Sequence, residues 1–283
     1  MGALYREFHT QAELDDAYDV ERSVPDFGRY LDRFGEGNTR ALAELQPQRG
    51  LRYGATRPEY LDFYAGPGER PLLVFFHGGY WRILSSEEFA FAVAGPVKAG
   101  FAVANVNYTL CPNAPMDELV RQCRAAIAWL VREERLSFDR RRIVVGGHSA
   151  GAHLAAMCLL TEWSERYDLP DTILRGGLLV SGLFDLRPLP FTFVQPSLQL
   201  DPVQVLRNSP HLLVRPGLPP IHVAYGDAEP PEFQRQSADF AAAWAGAGNL
   251  VTRESHPGHD HFSIALTLQD GDLPVIEALK RLA

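Results

Sequence analysis

Five consecutive residues carry the strongest chemical signal in the chain: Gly147-His148-Ser149-Ala150-Gly151. A serine hydroxyl is a weak nucleophile at neutral pH and needs a base within hydrogen-bond reach. A glycine two residues to either side permits a sharp turn with the serine at its apex, provided a strand enters and a helix leaves. Both are written here. Arg142-Ile143-Val144-Val145-Gly146 is a β-branched run upstream, and Ala152 to Leu160 is an apolar stretch of good helix formers downstream. With 24 glycines in the chain the spacing alone would be weak; the strand and helix make it specific.

The base should lie on a loop at the carboxyl end of another strand. The loop after the last predicted strand holds His256-Pro257-Gly258-His259-Asp260-His261-Phe262. His261, with Phe262 behind it as a packing anchor, is the first candidate and His259 the alternative. The same histidines have a spacing that suits a divalent metal. No other Cys, His or carboxylate cluster completes such a site, so neither a metal nor a cofactor is expected. A carboxylate must orient the imidazole and stabilise its cation. It belongs just past the preceding strand, where Glu229 stands three residues beyond Gly226 and Asp227 is the nearer, shorter alternative. Glu232 suits the first turn of the following helix. Serine, acid, histidine is the chain order of α/β-hydrolases. Oxyanion donors would be the N–H of Ala150 at the helix start and those of Gly78 and Gly79 in His77-Gly78-Gly79-Tyr80.

The elements that must position these residues alternate. Pro71 to Phe76 is a continuous apolar run, as expected of a strand buried on both faces. Further strands are predicted at 101–107, 142–146, 176–180, 220–226 and 250–255, and an edge strand at Tyr60-Leu61-Asp62-Phe63-Tyr64. Helices are predicted from Ser85 or Ser86 to Ala94, and over 116–135, 152–160, 201–207, 231–245 and 272–282. In the second of these, Met116, Val120, Cys123, Ile127, Leu130 and Val131 recur on one face. This pattern predicts a three-layer α/β fold with a mostly parallel sheet. Residues 1–45 read as a small N-terminal cap with short helices at 11–19 and 27–34, and residues 1–283 as one domain.

At 283 residues, 46% hydrophobic and 22% charged, the chain has the composition of a globular protein with a large core. A net charge of −8 without a basic run disfavours nucleic acid and anionic membranes. The N-terminus shows no signal-peptide pattern and no apolar run reaches spanning length. Cys111, Cys123 and Cys158 are widely spaced and read as small core residues in a reducing cytosol. A cytoplasmic protein with a small-molecule substrate is expected, with room for a homodimer.

Several segments together resemble the arylformamidase (kynurenine formamidase) group of α/β-hydrolase serine enzymes. They are His77 to Trp81, Tyr108-Thr109-Leu110 ahead of Pro112, Gly147 to Leu154, Ser181 to Leu186, Glu232 to Ser237 and Gly258 to Phe262. The resemblance implies a triad of Ser149, Glu229 and His261, with Gly78, Gly79 and Ala150 as the oxyanion hole. It also implies hydrolysis of the N-formyl group of formylkynurenine without a metal, through a formyl-enzyme. Tyr80 and Trp81 would wall an aryl ring, unless Trp81 simply plugs the core beneath its loop. Two features depart from the wider pattern: Tyr80 replaces the third glycine of HGGG-type esterases, and the acid is Glu where Asp is more usual. A small-acyl carboxylesterase is the alternative, and a non-catalytic binding protein of the same fold a third reading.

Overall fold

The run Pro71–Phe76 is buried from its second residue onward and has parallel partners on both sides, which is why it tolerates no polar residue. Each leucine or phenylalanine buried there contributes roughly 1.5–3 kcal/mol. The computed structural model describes residues 2–283. Among them eight strands form one sheet: β1 (Gln48–Arg52), β2 (Tyr60–Tyr64), β3 (Pro71–Phe76), β4 (Ala102–Val106), β5 (Asp139–His148), β6 (Leu174–Val180), β7 (Ile221–Gly226) and β8 (Val251–His256). Their spatial order is β1-β2-β4-β3-β5-β6-β7-β8. Only the β1–β2 and β2–β4 pairings are antiparallel. From β4 to β8 every neighbour is parallel, so the loops leaving β3, β5, β7 and β8 open at one end of the sheet.

Helices cover both faces, as the alternating pattern requires. Met116–Arg132 buries Met116, Val120, Cys123, Ile127 and Leu130, which is the predicted face apart from half-buried Val131. Pro231–Gly246 packs on β7 and β8, and Pro274–Leu282 on β6 and β7. The three cysteines are free and buried.

Two elements differ from the sequence reading. Tyr60–Tyr64 is not the sheet edge, because β1 lies outside it; β1 is mostly exposed and so lacks the apolar alternation that marks a strand. The second N-terminal helix runs Phe27–Leu45 rather than ending at residue 34. Gly35 and Gly37 weaken its local signal, but packing overrides propensity. A Cβ on Gly37 would lie 2.9 Å from Phe91 Cβ, so the glycine lets the helix lie close on the body, where Phe34 stacks on Phe91 at 4.4 Å. The first helix, Gln11–Tyr18, is closed by a Thr10–Glu13 capping box.

Candidate active site

Strand β5 ends at His148 and the helix Ala150–Leu159 begins two residues later, leaving Ser149 alone at the turn with φ 56° and ψ −121°. A non-glycine residue with positive φ is strained, and such strain persists only where the surroundings over-determine it. Here they do. A Cβ on Gly151 would sit 1.9 Å from Phe76 O, and one on Gly147 would sit 2.4 Å from Gly151 C. The backbone of Ser149 is pinned by its N–H to Val180 O at 2.8 Å.

His261 follows β8 and is buried. Its Nδ1–H donates to Glu229 Oε2 at 2.8 Å, since a carboxylate only accepts. That bond fixes the tautomer and leaves the lone pair on Nε2. Glu229 is also buried, and its other oxygen accepts from Ser181 Oγ at 2.5 Å and from the Gly226 N–H at 2.7 Å. Three donors satisfy a carboxylate that burial would otherwise penalise. The histidine is tied to the serine's neighbour: His148 Nε2–H donates to His261 O at 2.9 Å, and the two rings lie 4.6 Å apart. Phe233 packs on the His261 ring at 4.6 Å. Among the described residues neither Ser149 Oγ nor His261 Nε2 forms a hydrogen bond, and bonds of this kind commonly tighten only with substrate in place.

The alternatives are placed elsewhere. Asp227 is exposed and accepts from the Gly258 N–H at 2.6 Å. The carbonyl of His259 accepts from the Ala228 N–H at 3.0 Å, and its ring lies edge-on to His256. Glu232 does begin the next helix, but its carboxylate takes Tyr18 OH at 2.7 Å and both arms of Arg235. Among the described residues no group of three His, Cys, Asp or Glu side chains is arranged to hold a metal.

The loop after β3 lies against the elbow. A Cβ on Gly78 would come within 3.1 Å of His148 O, and Gly79, at φ +107°, leaves only 2.2 Å between a Cβ and Ile83 O. Tyr80 and Trp81 continue in the left-handed region at φ 49° and 57°, a strained run that persists only where its surroundings hold it. Among the described residues the N–H groups of Gly78 and Gly79 donate to nothing, and the Ala150 N–H, in the first turn of its helix, has no intrahelical partner. His77 holds the loop from below. Its Nδ1–H donates to Gly78 O at 2.8 Å, Tyr108 stacks on its ring at 4.2 Å, and burial pushes its pKa down to about 4.

Tyr80 and Trp81 separate. Trp81 is 0% exposed, and its Nε1–H donates to His153 Nδ1 at 3.1 Å, so its place is the core beneath the loop and not a wall open to a ligand. Tyr80 stands among Phe193 and Phe233, its hydroxyl donating to Tyr18 O at 2.5 Å. The sequence reading missed Ser181, His148, Phe233 and the N-terminal contacts. Tyr18 OH meets Glu232, Tyr30 OH meets Asp260 at 2.5 Å, and Phe27 meets Phe262 at 4.8 Å. Only Ser181 had a local signal, a small polar residue at the end of a buried strand.

This sheet, with a serine turn at the end of a central parallel strand, defines an α/β-hydrolase. The BD-FAE family profile matches residues 61–173. The kynurenine formamidase of Salmo salar is 37% identical over 258 residues, spanning 87% of this chain and 85% of that protein. The chain belongs to the kynurenine formamidase family. Esterase LipQ of Mycobacterium tuberculosis is 30% identical over 72% of this chain and 53% of its own length. A solved structure from a Silicibacter species superposes with a TM-score of 0.81 at 29% identity, covering 95% of this chain and 99% of its own. The protein is thus a hydrolase of this fold.

Proposed function

We propose that the protein is a serine hydrolase that removes the formyl group from aryl formamides of the N-formylkynurenine type, with Ser149 as nucleophile, His261 as base and Glu229 as acid. The observation that carries the reading is the buried His261–Glu229 pair, 2.8 Å apart, clamped through His148 to the serine turn. Family membership supports the formamide as substrate.

In the proposed reaction Ser149 Oγ bonds to the formyl carbon while His261 Nε2 takes its proton, and the carbonyl electron pair moves onto oxygen. The amides of Ala150, Gly78 and Gly79 donate to that oxyanion, where preorganised donors are worth most. The pair then returns, the C–N bond breaks, and the imidazolium protonates the leaving aryl amine. A water that gives its proton to His261 attacks the formyl ester, and collapse releases formate and restores Ser149. Formyl is the smallest acyl group and suits donors held this close. Tyr80 is the proposed contact for the aryl ring, with Trp81 supporting the loop from beneath.

A small-acyl carboxylesterase is the second reading, because the same parts cleave an ester and an esterase is among the relatives. Either reading is tested by a fluorophosphonate probe on folded protein. Labelling of Ser149, abolished in Ser149→Ala, is expected; an unlabelled Ser149 overturns the serine mechanism and leaves a binding role.

A further inference from the structure

A cleft of about 950 Å³ runs between the helix Met116–Arg132, the end of the helix Ala150–Leu159 and the segment 207–215. It is lined by Arg121, Arg124, Arg166, Arg207 and Arg215, against two carboxylates, Asp117 and Glu162. In a chain of net charge −8 that concentration of positive charge runs against the average. None of Ser149, Glu229 and His261 lines it, so it is separate from the site above.

Two of the five cations are neutralised. Arg207 forms a two-armed pair with Asp117 at 2.6 and 2.5 Å, and Arg121 pairs with Glu118 at 2.7 Å and Glu59 at 2.6 Å. Arg124, Arg166 and Arg215 have no carboxylate within 4 Å among the described residues. Arg124 and Arg215 are half-buried and held by neutral acceptors: Arg124 Nε donates to Thr161 Oγ1 at 2.8 Å, and Arg215 Nη1 to Leu160 O at 3.4 Å. Such anchors orient a guanidinium plane without cancelling its charge. A guanidinium so fixed presents a fork that matches phosphate or carboxylate oxygens, and partial burial strengthens the attraction. Val120, Met157, Leu160 and Leu213 share the same walls and give the cleft an apolar part.

We propose that this cleft binds a small organic anion: a group with at least two anionic oxygens, a phosphate monoester or a dicarboxylate, joined to a compact apolar body. The oxygens meet Arg124, Arg166 and Arg215, and the body lies on the apolar wall. The proposal is independent of what Ser149 hydrolyses.

Calorimetric titration of the full-length protein with phenyl phosphate, phthalate and inorganic phosphate tests it. Saturable one-to-one binding of phenyl phosphate or phthalate is expected, tighter than that of inorganic phosphate; the tighter of the two identifies the anionic group. Arg124→Gln/Arg215→Gln should weaken it by about tenfold or more. Arg166 is exposed and among the described residues its side chain makes no hydrogen bond or ion pair, so Arg166→Gln should weaken binding without disturbing the fold. Arg141→Gln/Arg175→Gln, in a different arginine-bearing cleft, should leave binding unchanged. Absence of saturable binding by both aromatic anions overturns the proposal, as does equal weakening by the Arg141/Arg175 variant or none by the Arg166 variant.

Discussion

Glu229 and Asp227 are two residues apart and differ in every respect that matters for orienting an imidazole. Glu229 is buried, receives three hydrogen bonds and holds His261 Nδ1; Asp227 is exposed and receives one from Gly258. Glu229→Gln should therefore lower kcat by about 10²–10⁴ while Asp227→Asn stays within about threefold. Steady-state rates on one substrate decide it, and equal losses would remove Glu229 from its proposed place. Ser149→Ala should cost on the order of 10³ or more in kcat with the fold intact. At this scale the sequence was most legible, because a serine turn and an acid after a strand are local patterns. Ser181 carried only the faint signal of a small polar residue at a strand end, since its contact with Glu229 exists only once β6 and β7 lie side by side. Trp81 illustrates the reverse. Its type suggests a binding wall, and only packing against His153 reveals a buried support.

The elements around the site are separated by backbone contacts so short that glycine identity becomes structural. Gly151→Ala would push a Cβ to 1.9 Å from Phe76 O at the junction of β3, β5 and the following helix. A loss of about 3 kcal/mol or more is expected, read from denaturant midpoints. The helix Phe27–Leu45 gives the opposite test. Gly35 is exposed and has open space where a Cβ would go, so Gly35→Ala should stabilise by about 0.5–1 kcal/mol, whereas Gly37→Ala should destabilise against Phe91. Two glycines two residues apart are indistinguishable as letters; their difference is set by what lies opposite. The sheet was readable from β2 onward, while exposed β1 carries no apolar alternation and the length of this helix is set by what Gly37 faces.

Across the whole molecule, His77, His148, His153 and His222 are buried. Burial lowers His77, His153 and His222 to about 4, and lowers His148 as well, desolvation being the largest cause in each. His153 is held in one tautomer, accepting from Trp81 Nε1–H and donating through Nε2–H to Asn208 O at 2.7 Å. Between an unfolded value near 6.5 and the folded value near 4, the unfolded chain takes up protons that the folded chain refuses. Stability should hence be full above pH 6.5, fall on acidification toward pH 4, and lose nothing further through these groups below that. Urea midpoints at pH 7 and 5 check this; a flat profile contradicts it. The N-terminal helices reach across the molecule to Phe262, Asp260, Tyr80 and Glu232, contacts between residues that are remote in sequence and therefore silent within it. Among the described residues no helix is long and apolar enough to cross a membrane.

The proposal that this hydrolase is built for a formamide is tested most directly by kcat/KM for N-formylkynurenine beside short-chain p-nitrophenyl esters, on the same wild-type preparation. The account predicts efficient release of formate, equal to or better than ester turnover and lost in Ser149→Ala. An ester preference of several hundredfold would contradict it and leave a carboxylesterase in its place.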